Sequence, residues 1–347
     1  MATRPDSSAT AEALARDVLA GNRRALAKAI TLVESTRSDH QQQAQRLLET
    51  LLPQTGHATR IGISGAPGVG KSTFIESFGL FLIELGKRVA VLAVDPSSAQ
   101  SGGSILGDKT RMARLSAAPE AFIRPSPAGR SLGGVARRTR EALLVCEAAG
   151  YDVVIVETVG VGQSEYAVAS MVDFFLLLLL PGAGDELQGI KKGIVELADT
   201  LAINKSDGAN VPLAQQAAAQ YRSALNLFRH SSPHWDPPVV TISGLQNEGM
   251  QEIWSIVQRH REQLGNSGEL QQKRQQQQQA WFSTMLEDGL KEHFMARADV
   301  RARLPELEQA LAECKVTPTQ AARQLLELLD EPHAPVDRVA SRRGKKA

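Results

Sequence analysis

Two periods run through the chain. Between residues 59 and about 264, short unbroken aliphatic runs alternate with longer stretches whose apolar positions return every three or four residues. An unbroken aliphatic run of this length marks a strand buried on both faces, and the longer spacing marks a helix with one face on the core. The pattern predicts strands at 61–64, 89–94, 121–123, 153–156, 174–180, 200–204 and 239–243. It predicts helices at 71–85, 107–115, 134–149, 189–197, 212–227 and 249–264. Such alternation implies an α/β fold, a mostly parallel sheet covered by helices on both faces. Ligands of these sheets gather at the carboxyl ends of the strands.

Helical spacing also flanks this segment. Leu14, Val18, Leu26, Ile30 and Val33 suit one face, with a break and a new cap at Gly21 and Asn22. A further helix over 41–52 should end at Pro53. After Gly268 the chain turns Gln-rich, and Trp281, Phe282, Met285, Leu286 and Leu290 continue at helical spacing. Further helices are expected at 304–314 and 319–329, the last begun by Thr317 and Pro318. Residues 342–346 form a basic tail, expected to be disordered. The expected division is a helical segment at 1–55, an α/β domain at 56–265, and a helical arm with its tail at 266–347.

Composition narrows the partners. Of 347 residues, 39 are Lys or Arg and 38 are Asp or Glu, a net charge of +1. That balance argues against nucleic acid or a charged membrane surface as partner, since both are held by excess positive charge. The two cysteines, Cys146 and Cys314, form no CxxC pair and suggest no disulfide framework. The longest greasy run, 174–180, is far too short to span a bilayer. No apolar signal core is evident over residues 1–24, so a cytoplasmic location is expected.

The candidate chemistry begins at Gly65-Ala66-Pro67-Gly68-Val69-Gly70-Lys71-Ser72-Thr73, which completes the phosphate-loop pattern G-x-x-x-x-G-K-[ST]. Glycines let successive backbone amides bend around a polyphosphate at a helix N-terminus. Lys71 can reach the terminal phosphates and the Ser72 hydroxyl can ligate Mg²⁺. The ligand class implied is a magnesium-bound nucleoside triphosphate.

Downstream, the run 153–156 ends in Glu157, with Gly160 three positions on. Where a phosphate loop is present, an acid at such a strand end holds the Mg²⁺ hydration shell and a glycine three positions on meets the γ-phosphate, the roles expected of Glu157 and Gly160. An ordinary acid at a strand end is the alternative. Asn204-Lys205-Ser206-Asp207 matches N-K-x-D. A carboxylate at Asp207 can accept from guanine N1–H and its exocyclic amine, donors that adenine lacks. The Lys205 stem can lie along the base. Ser243-Gly244-Leu245 follows the next strand, where backbone amides can meet guanine O6. Glycine at 244, where alanine is usual, predicts a looser loop. GTP and GDP are therefore the expected ligands. Asp95 could approach the Mg²⁺ shell or the attacking water, or cap a turn; Asp108 could ligate metal or water, or begin a helix. A charged, Gly-rich loop at 181–193 follows the greasy strand. It could sense the γ-phosphate or be a plain solvated connection.

These segments resemble the MeaB/ArgK-type GTPases, the methylmalonyl-CoA mutase-associated branch of the SIMIBI class of P-loop GTPases. The matching pieces are GAPGVGKST, LAVDPSS, GGSILGDKTRM, AFIRPSP, LGGVARRTREA, VETVGVGQSE, PGAGDELQGIKKG and NKSD, covering most of residues 59–207. The resemblance implies a GTP-hydrolysing chaperone for an adenosylcobalamin-dependent acyl-CoA mutase, gating cofactor loading and protecting against inactivation. It implies a homodimer built on the C-terminal helices. It also implies that Lys71, Asp95, Asp108 and Glu157 are the catalytic residues, that Ser72 with the three acids forms the metal set, and that 181–193 senses the partner. Besides a non-enzymatic scaffold, the blandest option, the residues leave two other readings open. One is a nucleotide-dependent kinase linked to amino-acid transport binding proteins, which N-K-x-D disfavours. The other is a metal-insertion GTPase, for which the seven scattered histidines offer no cluster. No arginine finger is evident, with Arg111, Arg137 and Arg138 as candidates.

Overall fold

The structure is a computed structural model that describes residues 7–94, 112–125, 132–158, 164–182, 192–225 and 232–329. Seven strands make one parallel sheet: β1 (Thr59–Gly65), β2 (Val89–Val94), β3 (Ala121–Arg124), β4 (Val153–Thr158), β5 (Phe174–Leu179), β6 (Thr200–Ile203) and β7 (Val239–Thr241). Their order is β3-β2-β4-β1-β5-β6-β7. Every residue of β2, β4 and β5 is buried, which is why these strands read as unbroken aliphatic runs. In register, Ile61 of β1 lies between Ile155 of β4 and Phe174 of β5.

Two hydrophobic layers sandwich the sheet. One holds the N-terminal helices α1 (Ser7–Leu19), α2 (Arg23–Val33) and α3 (Ser38–Leu51). They pack with α6 (Leu132–Ala148), against which α2 and α3 lie directly. Asn22 caps α2 as its sequence predicts, its side chain accepting from the Arg24 and Ala25 amides. Pro53 falls in a single 3₁₀ turn, Leu52–Gln54, that ends α3. The other layer holds α4 (Lys71–Glu84) and α10 (Met250–Asn266), with the Phe78 ring in contact with both Phe74 and Trp254. Short helices α5 (Ala113–Ala117), α7 (Ser164–Ala169) and α8 (Lys192–Glu196), with α9 (Val211–Leu225), complete the connections. Residues 107–111 of one expected helix lie outside the described residues, as do 330–347 with the basic tail.

The Gln-rich stretch forms one long helix, α11 (Glu269–Ala296), and its first turns are held to the amino-terminal edge of the sheet. Arg274 donates to both carboxylate oxygens of buried Asp173, at 2.8 and 2.7 Å. It also donates to the Ala58 carbonyl, and Lys273 donates to the Asp173 carbonyl at 2.7 Å. Burial alone would raise the Asp173 carboxyl; Arg274, assisted by Arg60, instead holds it below the usual carboxylate range. Asp199 is likewise held low against its burial by Lys273 and His260.

The chain divides into two compact units, Met1–Gln278 and Gln279–Ala347. In the second, α12 (Ala298–Ala312) packs on α13 (Pro318–Glu327), burying Val300, Leu307 and Ala321. Among the described residues no helix is long and apolar enough to cross a membrane.

Candidate functional site

The carboxyl end of β1 turns through residues 66–70 into α4, and the turn is shaped by glycine. Gly70 adopts a left-handed φ of 96°. A Cβ on Gly65 would stand 2.5 Å from the Leu178 carbonyl oxygen, so β1 and β5 meet there at backbone distance. Val69 is fully buried and fixes the loop from below, while Ala66, Pro67 and Gly68 are exposed. Lys71 is buried, and its Nζ donates to the Gly65 and Ala66 carbonyls at 2.7 and 3.2 Å. The ammonium is thus held over the loop, within reach of whatever the loop encloses.

Glu157 closes β4, directly beside β1, in register with Ile63. Ser72 Oγ donates to Glu157 Oε1 at 3.3 Å. The two residues come from elements 85 positions apart and bring a hydroxyl and a carboxylate together at the loop's edge. Hard oxygen donors of this kind suit Mg²⁺. Asp95, Asp108 and Gly160 lie outside the described residues, as do Arg111 and 183–191 of the charged loop. Arg137 of α6 is engaged with Glu141 at 3.2 Å; burial raises that carboxyl, against the pull of Arg137 and Arg138.

The N-K-x-D segment leaves β6 beside this loop. Asn204 is only 2% exposed, and its Nδ2 donates to the Val69 carbonyl at 2.8 Å. Its Oδ1 accepts from the Gly244 amide at 3.0 Å. One side chain therefore joins the phosphate loop to the turn after β7. Ser243 Oγ donates to Asp207 Oδ2, and the Ser206 amide donates to the Ile242 carbonyl at 2.9 Å. Lys205, at a positive φ of 60°, is exposed beside them, as is the Leu245 side chain; Thr73 is exposed on the first turn of α4.

Two features of this turn differ from expectation. The Gly244 amide is engaged by Asn204 rather than standing open. The turn is not loose either: the glycine is seated on α4. A Cβ at 244 would lie 3.1 Å from both N and Cα of Phe74, and Ser77 Oγ donates to the Gly244 carbonyl at 2.6 Å. Glycine is what permits that approach. Ser77 was invisible in the sequence, because its partner is 167 positions away and no local pattern marks it. Among the described residues no group of three or more His, Cys, Asp or Glu could hold a metal ion alone.

The chain is similar to known proteins in sequence and in fold. The family described as methylmalonyl Co-A mutase-associated GTPase MeaB matches residues 26–299. A relative from Caulobacter vibrioides, described as a GTPase, is 56% identical over 315 residues, covering 91% of this chain and 96% of its own. The mouse "Methylmalonic aciduria type A homolog, mitochondrial" is 48% identical over 323 residues, covering 90% of this chain and 78% of its own. A solved structure described as an LAO/AO transport system kinase superposes with a TM-score of 0.74 at 42% identity, covering 93% of this chain and 98% of that one. By fold, by phosphate loop and by these matches, the chain belongs to the MeaB family of P-loop GTPases.

Proposed function

We propose that this GTPase is a switch that binds GTP with Mg²⁺ and serves an adenosylcobalamin-dependent acyl-CoA mutase, as a chaperone that gates cofactor loading and protects against inactivation. The observation that carries the nucleotide reading is Asn204, whose amide spans Val69 of the phosphate loop and Gly244 of the turn. That bridge ties the phosphate loop to the turn after β7, whose Ser243 donates to Asp207, and so supports one nucleotide spanning the two. In this reading the loop amides and Lys71 hold the β- and γ-phosphates and take up charge as water attacks in line. Ser72 and Glu157 would hold Mg²⁺, with Asp95 and Asp108 as the further acids of its site; the ion would neutralise charge developing on the phosphate oxygens. Gly160 would offer its amide to the γ-phosphate. Asp207 pairs with N1–H and the 2-amino group of guanine, Lys205 covers the base, and the turn 243–245 faces its 6-position.

Replacing Asp207 with Asn tests the base reading. The substitution exchanges an acceptor for a donor, so preference should move from GTP toward xanthosine triphosphate by tenfold or more. Competition against a fluorescent GDP measures it, and unchanged guanine selectivity sinks the assignment.

The mutase partner is supported by the family description and by the mouse relative's name. Capture from the source cell on the chain loaded with a non-hydrolysable GTP analogue should retain a cobalamin-dependent mutase, and release it in GDP. Capture that ignores the nucleotide would contradict a switch. A cytoplasmic location and a homodimer belong to the same reading, the latter supported by exposed apolar residues on α11. A second reading, phosphoryl transfer to a transport-linked acceptor, is favoured by the likeness to the transport system kinase. Radiolabel from γ-labelled GTP appearing on protein rather than as free phosphate would favour it.

A further inference from the structure

Helix α4 does more in this chain than follow the phosphate loop. Its first turn carries Lys71 and Ser72, and its second carries Phe74 and Ser77, which meet the far turn after β7. The contact has three parts. Ser77 Oγ donates to the Gly244 carbonyl at 2.6 Å. A Cβ on Gly244 would press on the Phe74 backbone at 3.1 Å, tighter than ordinary contact. Asn204 Oδ1 accepts from the Gly244 amide. Gly244 is thus held through both its amide and its carbonyl. The helix beneath it is rigid, since Phe74 and Phe78 are fully buried and stacked at 5.4 Å between ring centres.

We propose that Ser77 is a specificity-determining positioning residue: by holding the Gly244 carbonyl on α4, it sets the height at which the turn 243–245 meets the 6-position of the bound purine. The inference rests on the guanine reading above and adds to it a residue that touches no ligand. Asp207 reads the N1 and N2 edge, whereas the atom at C6 falls to the Leu245 amide, which shares a peptide unit with the Gly244 carbonyl. The Ser243 and Gly244 amides are already engaged, donating to the Glu248 carbonyl and to Asn204. Without Ser77, Ser243 stays paired with Glu248 and keeps Asp207 in place, but the peptide unit of the Gly244 carbonyl and the Leu245 amide recedes. Discrimination at C6 then weakens while discrimination at C2 persists.

The test is competitive binding of GDP, 6-thio-GDP, xanthosine diphosphate and ADP to the full chain. Sulfur accepts hydrogen bonds poorly, so the ratio of GDP to 6-thio-GDP affinity isolates the C6 contact. Loss of one neutral hydrogen bond changes an equilibrium by about twofold to tenfold. Ser77→Ala should lower the GDP to 6-thio-GDP ratio by about threefold or more and leave the GDP to xanthosine diphosphate ratio as in the parent. Ser77→Thr keeps the hydroxyl and should restore the first ratio. Gly244→Ala should lower the same ratio from the other side of the contact, and adding it to Ser77→Ala should give less than the sum of the two effects. Equal weakening of GDP and 6-thio-GDP by Ser77→Ala would make Ser77 merely structural and overturn the inference. A parent that binds GDP no better than ADP would instead overturn the guanine reading itself, whatever Ser77 does.

Discussion

At the scale of single residues, the site is set by how closely backbones approach. Gly70 is the sharpest case. Its φ of 96° costs an ordinary side chain about 1–3 kcal/mol. A Cβ there would also stand 2.7 Å from Asn204 Nδ2. That nitrogen belongs to the amide joining the phosphate loop to the turn of Gly244. Gly70→Ala therefore strikes the phosphate cradle and the proposed base site with one methyl group. GDP affinity should fall by tenfold or more, while stability in urea falls by about 1–3 kcal/mol. Calorimetric titration and urea unfolding measure the two separately. Parent-like affinity in the variant would show that Asn204 does not couple the two halves. The glycines and Asn204 were both legible in the sequence as motif positions. Their coupling was not, because it depends on β1 and β6 flanking β5 in the sheet order.

At the scale of elements, α4 and α11 are held by polar contacts that no periodicity reveals. On α4, Glu76 Oε1 accepts from the Arg114 amide at 2.7 Å and so caps α5, while Ser77 next to it holds the turn after β7. On α11, Arg274 and Lys273 tie the helix to Asp173 and Asp199 at the starts of β5 and β6. The seven strands were legible because a strand buried on both faces must be a continuous aliphatic run, whatever its neighbours. Helix ends shifted by a few residues where capping or a 3₁₀ turn decided them, as at Pro53. The anchors of α11 stayed hidden, since Asp173 and Arg274 are 101 positions apart and each reads alone as a surface charge. They carry a pH prediction. The Asp173 carboxyl titrates lower in the folded chain than when unfolded, so its contribution is present above the unfolded value of about 3.9. It is lost as pH falls through the lower, folded value. Asp173→Asn leaves Arg274 without its charge partner and should cost about 3 kcal/mol at neutral pH. The gap between parent and variant should hold from pH 7 to about pH 4 and narrow below it. Urea midpoints recorded from pH 7 to pH 3 test this, and a gap that is constant with pH would assign the loss to packing instead.

At the scale of the whole molecule, the open matter is what covers α11. Phe282, Leu286 and Leu290 recur every four residues along it, and each is between 52% and 69% exposed. A row of large apolar side chains on one helix face is what an interface presents, and two-fold symmetry would bring each row against its copy. Full burial of one such side chain from full exposure stabilises by about 1.5–3 kcal/mol, so these half-exposed residues, three from each of two copies, offer roughly 5–11 kcal/mol. Association costs about 4–15 kcal/mol in lost freedom, so the proposed homodimer holds only if the whole row is engaged. One charge in its middle is then decisive. Leu286→Arg removes the apolar gain twice and sets two like charges near the symmetry axis. Light scattering after size exclusion should give the mass of two chains for the parent and of one for the variant at micromolar concentration. GDP affinity should be retained, because Leu286 lies in the unit beyond Gln278 whereas the phosphate loop and Asp207 lie in the first. A parent with the mass of one chain, or a variant still paired, would remove α11 from the interface.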